Sequence, residues 1–306
     1  MGRGFHKTAF AALGVLGIAM SPALAADWKL SAGLTARETY TDNARLSATD
    51  RKSDFITELT PYLSAQKKGA RLEVDFTYRM QNLFYADDSS RSRTYHQLAA
   101  RSKAELIEDE VFVDATAAIS QQFTSLLGPV GADTATTAGN LTNVSQITIS
   151  PYWQHRFGPT ANGLLRYSHS EVRSGSGVAD SSTDAVQLSL TSGSAFRDWN
   201  WGLSYTSSNI DYQTRPDVRL ATVSGTVGYR ILPRLRLYGK AGFDENNYVA
   251  LTGQKTSGSF WQLGATWTPT VRTELDAFAG ERYFGKTYGL KLDHRMRRTN
   301  WHLGYG

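Results

Sequence analysis

From Trp28 the chain alternates. Trp28, Leu30, Ala32, Leu34 and Ala36 carry the apolar side chains, and Lys29, Ser31, Gly33, Thr35 and Arg37 the polar or small ones. A period of two puts the two sets on opposite faces of a strand, and no helical period competes with it. The clearest run is Arg71 to Tyr85, where Leu72, Val74, Phe76, Tyr78 and Met80 alternate with Glu73, Asp75, Thr77, Arg79 and Gln81. The same pattern predicts strands from Trp28, over 55–66, 71–85, 95–107, 111–120, 144–156, 161–172 and 185–192, and then over 199–209, 218–231, 235–248, 259–268, 273–284, 288–295 and 300–306. Leu59-Thr60-Pro61-Tyr62-Leu63 and Ile149-Ser150-Pro151-Tyr152-Trp153 place a proline inside a strand. Proline gives the ladder no N–H, so a bulge is expected at each.

The connections sort into two kinds. Tight turns at 67–70, 108–110, 157–160 and 232–234 mostly alternate with longer polar loops at 41–54, 86–94, 121–143 and 173–184. Short turns on one rim and long loops on the other predict an all-β, antiparallel, up-and-down barrel of the transmembrane kind, which a soluble sandwich would not require. Aromatics at predicted strand ends, namely Trp28, Tyr40, Phe55, Phe84, Tyr95, Trp153, Tyr167, Trp199, Trp201, Tyr229, Trp261, Trp267 and Trp301, fit the girdles of such a barrel. Any sheet is also rich in aromatics. About fifteen strands are visible, whereas bacterial single-chain barrels have even counts. The expectation is therefore sixteen or more strands, with the barrel of 26–306 truncated at its C-terminal end; a miscounted hairpin is the alternative.

Residues 1–25 read as a cleaved export signal. Arg3, His6 and Lys7 precede an apolar stretch from Ala9 to Met20, and Ser21-Pro22-Ala23-Leu24-Ala25 supplies a breaker and an A-x-A site. Twelve or so apolar residues are too few to cross a bilayer, and no later segment is long and apolar enough to do so as a helix. Composition narrows the chemistry. The 306 residues contain no cysteine, which excludes disulfide scaffolds, thiolate metal sites, iron–sulfur clusters and cysteine catalysis. A formal charge of +5 without a basic block gives no case for nucleic acid.

If the large apolar faces meet lipid, the other faces line a lumen. Arg37, Tyr62, Asp75, Arg79, Arg101, Lys103, Tyr152, Arg166, Arg230 and Lys240 are the candidate lining and ligand-binding residues, together with Glu58, Glu73, Glu105, Arg236, Asp276, Arg282 and Lys291. Tyrosine faces and forked donors would suit a hydrated glycan. A rigidifying ladder of cross-strand ion pairs is the favoured plain reading of the same residues. Catalysis has little support. His169 lies between Ser168 and Ser170 but points to the opposite face, and Glu73 and Asp75 have Arg71 and Arg79 nearby to pair with. The histidines form no close pair, and Asp42, Asp87 and Asp88 read as solvated turn acids rather than calcium ligands. Neither a metal nor a cofactor is expected.

Thr39-Tyr40-Thr41-Asp42-Asn43 and Ser53-Asp54-Phe55-Ile56-Thr57-Glu58-Leu59-Thr60-Pro61-Tyr62 resemble the PEP-CTERM-system-associated outer-membrane β-barrel proteins. The resemblance continues at Gly69-Ala70-Arg71-Leu72, at Asn82-Leu83-Phe84-Tyr85 and at Asn300-Trp301-His302-Leu303-Gly304-Tyr305. It implies a signal peptide, a Gram-negative outer-membrane location and a place beside exopolysaccharide and surface-protein sorting functions. Members run on beyond the Asn-Trp phrase. The combined expectation is a porin-like, non-enzymatic barrel. It would act as a passive conduit or docking barrel in exopolysaccharide export or envelope biogenesis, with lipid, polysaccharide and periplasmic export proteins as partners. A structural or surface-interaction barrel, with the 121–143 loop as its contact surface, is the alternative. An enzyme acting on lipid or glycan comes third.

Overall fold

The computed structural model describes residues 28–306 except 129, 132, 176–178, 249–252 and 254, and not the side chain of 138; the export signal expected at 1–25 lies outside the described residues. Fifteen strands follow one another in chain order across one antiparallel sheet. They are β1 (Trp28–Thr41), β2 (Asp54–Lys68), β3 (Leu72–Tyr85), β4 (Arg93–Ile107), β5 (Val111–Phe123), β6 (Leu141–Phe157), β7 (Ala161–Ser174) and β8 (Ser181–Ser192). Then come β9 (Trp199–Tyr212), β10 (Val218–Leu232), β11 (Leu235–Asn246), β12 (Gly258–Thr270), β13 (Thr273–Arg282), β14 (Gly285–Arg295) and β15 (Asn300–Tyr305). Each strand pairs with its sequence neighbours, and no β1–β15 pairing occurs among the described residues. At one end the connections are mostly tight, with 69–71, 108–110, 158–160, 233–234 and 271–272 between strands and a longer 193–198; at the other lie the loops 42–53, 86–92, 124–140 and 247–257, with one tight turn at 283–284.

Pairing register assigns every side chain to a face. Lys29 opposes Gln66, Arg37 opposes Glu58, Tyr62 opposes Arg79 and Asp75 opposes Arg101 on one face, and the same parity carries through to Lys291 opposite Gly304. The polar face is the concave one, because its side chains reach over an intervening strand. Arg166 Nη1 meets Asp114 Oδ2 at 2.9 Å over β6, and over β12 the Tyr238 hydroxyl donates to Asp276 Oδ1 at 3.0 Å. Ile56, Leu83, Tyr85, Tyr95, Phe112, Tyr152 and Phe260 are buried on this face. The convex face carries Leu34, Leu165, Leu188, Leu203, Val227, Leu263 and Leu290, all exposed.

Neither proline makes a bulge. The register runs unbroken from Leu59↔Asn82 to Tyr62↔Arg79 and from Ile149↔His169 to Tyr152↔Arg166, with pairing lost only beside Pro61 and Pro151. On their other sides Pro61 still faces Leu34 and Pro151 faces Val113. A missing N–H removes a bond toward one neighbour and leaves the alternation of side chains intact. The sheet does part between the loop-side ends of β4 and β5, whose pairing stops at Leu98↔Ile119. There Gln121 Nε2 donates to the His96 carbonyl at 2.7 Å and the His96 N–H donates to Asn143 Oδ1 at 3.3 Å, so side chains satisfy the backbone that the ladder leaves.

On the concave face aromatic rings lie over cross-strand glycines. A Cβ on Gly33 would stand 2.5 Å from the Tyr62 ring, and one on Gly264 2.4 Å from the Tyr238 ring. Gly242 under Phe260 and Gly289 under Phe278 repeat the arrangement. Laying the ring flat buries both its face and the glycine backbone. Gly264→Val is therefore expected to lift Tyr238 off its bond to Asp276 and cost about 1–3 kcal/mol, measured as a lower urea midpoint in detergent. An unchanged midpoint would mean that the ring has a second, equally good resting place.

Candidate functional site

All ten candidate lining residues fall on the concave face, where eight of them form three separate groups and Asp75 stands opposite Arg101. In the first, Arg37 Nη1 stands 3.7 Å from Glu58 Oε2, Thr60 donates to Glu58 Oε1 at 3.1 Å, and Tyr62 lies over Gly33 with Arg79 as its cross-strand neighbour.

The second group is the densest. Phe112 and Tyr152 stack with ring centroids 5.0 Å apart and planes 13° from parallel. Arg166 rests 4.0 Å over Tyr152 and Lys103 5.3 Å over Phe112. Stacked rings with ammonium and guanidinium groups on their faces hold the cations in place without neutralising them. Only Arg166 also meets a carboxylate, Asp114.

The third group lies on β10–β13. Phe260, 3% exposed, carries Lys240 at 5.7 Å and Arg282 at 4.5 Å. Asp244 accepts from Thr222 at 2.8 Å and faces Arg282 at 3.6 Å. Arg230 stands directly across from Arg236.

An ion-pair ladder accounts for part of this face. Arg37, Arg166, Arg282 and Lys291 have carboxylate partners within 4 Å. Among the described residues Arg79, Arg101, Lys103, Arg230, Arg236 and Lys240 have none, even though Lys103 and Arg101 stand opposite Glu73 and Asp75. Several carboxylates are meanwhile engaged: Asp54 accepts the Asp87 and Asp88 backbone N–H groups, and Asp276 accepts from Tyr238 and Thr266. Glu73, Asp75 and Glu274 are exposed on the same face without an ion pair among the described residues, but the unpaired cations outnumber them, so the net charge left open to water is positive.

The loop between β5 and β6 covers part of this face at the loop-side rim. Thr134 Oγ1 donates to Gln81 Oε1 at 2.9 Å, and the Tyr85 hydroxyl donates to the Ala135 carbonyl. Ala135 joins Ile56, Leu83, Tyr85 and Tyr95 in a buried apolar cluster, with Leu141 packed against it. Tyr95 is thus an inward residue and not part of an outer girdle. Phe112 and Phe260 escape a search for polar lumen residues, although the parity that puts Asp114 inward puts Phe112 there as well. The loop's inward fold has no signal in the sequence, because Thr134 to Asn140 is compositionally an ordinary polar loop.

The other candidates separate. His169 points outward, 2.8 Å from Asp184 Oδ1, while Ser168 and Ser170 point inward and bond Ser150 at 2.7 Å and Thr148 at 2.9 Å. The neighbours expected for Glu73 and Asp75 are corrected: Arg71 pairs with Glu108 at 2.9 Å across a turn, and their cross-strand cations are Lys103 and Arg101. Asp88 is occupied by Ser90 at 2.6 Å and Arg45 at 2.7 Å, and these two contacts hold its carboxyl below the usual range. Among the described residues no group of three or more His, Asp or Glu could hold a metal ion.

No family profile and no curated protein matches the chain. Solved structures do. The FrpB iron transporter from Neisseria meningitidis (F3-3 variant) is 12% identical with a TM-score of 0.43, over 91% of this chain and 56% of that one. In vitro folded OmpT, an outer membrane protein of Vibrio cholerae, is 12% identical with a TM-score of 0.37, over 90% of this chain and 91% of that one. A loop-deleted form of that OmpT is 13% identical with a TM-score of 0.37, over 83% of this chain and 92% of that one. This chain spans little more than half the length of FrpB.

Proposed function

We propose that the chain is a barrel of the Gram-negative outer membrane whose cationic concave face conducts or docks an envelope polysaccharide. The observation that carries this reading is the radial division of side chains. Outward positions from Trp199 to Tyr205 on β9, Leu235 to Phe243 on β11 and Trp261 to Trp267 on β12 are apolar, with aromatics near both edges. Six residues of strand cover about 20 Å, close to the roughly 25 Å apolar band of such barrels. Beyond the band, toward the long loops, polar residues join the outward face, Glu38, Gln121, Glu171, Asp184, Asp211 and Glu245, among remaining aromatics such as Tyr40, Phe55, Phe84 and Phe123. The strands would then project from the membrane on the long-loop side, with the tight turns close to its other surface.

Unpartnered cations held over aromatic rings are what a hydrated sugar chain can use, the rings for apolar sugar faces and the cations for hydroxyl and acidic groups. The resemblance to exopolysaccharide-associated barrels points the same way, and lipid and periplasmic export proteins would be the partners. The chain reconstituted in planar bilayers is expected to give a steady ohmic conductance that added acidic oligosaccharide reduces. Absence of conductance would favour a surface-interaction barrel. That second reading has an observation of its own, since Leu126 and Leu127 on the 124–140 loop are 94% and 98% exposed.

A further inference from the structure

The tight-turn rim of β10–β15 is rich in arginine and poor in partners for it. Arg230 and Arg236 stand directly opposite each other across a hairpin, both pointing to the concave side and both exposed. Like charges in this position weaken a hairpin, and a merely structural sheet would place a carboxylate between them. Among the described residues none lies within 4 Å of either.

The rim is continuous. The Arg234 carbonyl accepts the Thr268 N–H at 2.8 Å, and the Arg272 carbonyl accepts the Arg295 N–H at 2.8 Å, so successive turns are tied edge to edge. Arg272 and Arg295 are exposed and lack an ion pair among the described residues, and the 296–299 turn adds Arg297 and Arg298. A groove between these turns is lined by Arg234, Thr270, Arg272, Thr273, Arg295 and Asn300. Its carboxylates, Glu274 and Asp293, oppose each other across β13 and β14 and lessen the positive charge without cancelling it: Asp293 is held by Lys291 and His302, and the exposed Glu274 stands against three arginines, Arg234, Arg272 and Arg295. Another part of the same rim differs, because the 108–110 turn is acidic and two of its three acids are matched, Glu108 by Arg71 and Glu110 by His155.

We propose that this arginine rim is the entry site for an acidic polysaccharide, a chain bearing uronate-type carboxylates, at the tight-turn mouth of the barrel. The proposal rests on the conduit reading above and adds to it a substrate class and a side of entry, the periplasmic one, where short turns lie. Guanidinium groups bind carboxylates through paired donors in a fixed fork. The Asn300 amide between them suits a sugar hydroxyl, while the Thr270 and Thr273 hydroxyls bond each other at 2.9 Å and brace the groove. From Arg236 the concave face continues along β11 to Tyr238, to Lys240 over Phe260, and then to Arg282 over the same ring. A polyanion leaving the rim meets further cations on aromatic supports.

The test is calorimetric binding to the whole chain folded in detergent, with three probes of matched length: oligogalacturonate, a neutral malto-oligosaccharide and oligoglutamate. Oligogalacturonate is expected to bind in low salt and to weaken steeply as salt rises. The double variant Arg230→Gln with Arg236→Gln is expected to lose about tenfold or more in affinity, the scale of one or two charge-assisted contacts. Arg173→Gln, on the convex face toward the other rim, should leave binding unchanged, and heat-modifiable migration would show that every variant folds. Equal binding of the neutral sugar, equal binding of oligoglutamate, or an unaffected double variant would each overturn the assignment. Conductance separates this from the wider reading: a barrel that binds oligogalacturonate at the rim yet passes no current keeps the site and loses the conduit. One that conducts and ignores the sugar loses the site alone.

Discussion

Leu203→Arg is expected to destabilise folding into lipid by about 2–4 kcal/mol, the cost of a cation on the lipid face near the bilayer midplane. Thr206→Arg, three residues along the same strand, is expected to change stability little. Leu203 is 57% exposed on the convex face, between Leu190 and Gly225, and lies within the apolar run from Trp199 to Tyr205. Thr206 is on the concave face between Gln187 and Thr222, where β8, β9 and β10 carry mostly hydroxyl and small side chains. An arginine there remains in water with no like charge opposite. Urea titration of folding in phospholipid vesicles, followed by tryptophan fluorescence, reads both variants. Equal tolerance of the two would show that the convex face does not meet hydrocarbon. The mirror-image result, with Thr206→Arg the damaging change, would show that the faces are assigned the wrong way round.

The same division of faces governs what the sequence discloses. All fifteen strands are legible, because a strand with one apolar and one polar face writes a period of two into the chain. The observed strands outrun that signal mainly at their long-loop ends. β1 continues to Thr41, β5 to Phe123, β7 to Ser174 and β9 to Tyr212, and β6 and β8 start at Leu141 and Ser181. There the outward side chains include Glu38, Gln121, Glu171, Arg173, Asp184 and Asp211 as well as Tyr40 and Phe123. Polar residues then stand on both faces, so alternation fades while the ladder still pairs.

The lining residues are legible for the same reason, since parity places Arg37, Arg79 and Lys240 without knowledge of their neighbours. Their partnerships are not. Whether Arg101 meets Asp75 or Arg230 meets Arg236 depends on the offset of adjacent strands, which hairpin lengths and side-chain reach decide together. Glycine beneath an aromatic, as at Gly33 and Tyr62, is visible only once strands from different parts of the chain are set side by side.

Removing residues 126–138 and closing the loop with a short glycine–serine link is expected to raise conductance severalfold. The loop turns inward at the wide-loop rim and is held there by Thr134 on Gln81, the Tyr85 hydroxyl on the Ala135 carbonyl, and the cluster of Ile56, Leu83, Tyr85, Tyr95 and Ala135. Ala135, Thr137 and Asn140 are buried, so this stretch lies over the concave face instead of projecting into water. Ion flow through a narrow passage depends on its open cross-section, and an inward loop reduces that area at one level. A gentler change separates obstruction from mobility. Tyr85→Phe keeps the ring and leaves the Ala135 carbonyl without its donor, at a cost of about 1–3 kcal/mol for a buried acceptor. Its open-state current should match the parent, but the weaker tether should make transitions between current levels more frequent. Deletion with unchanged conductance would place the loop beside the ionic path and not across it. Deletion that abolishes folding, with Tyr85→Phe still silent in the current record, would make the loop a brace for the rim. The apolar cluster would then serve stability alone.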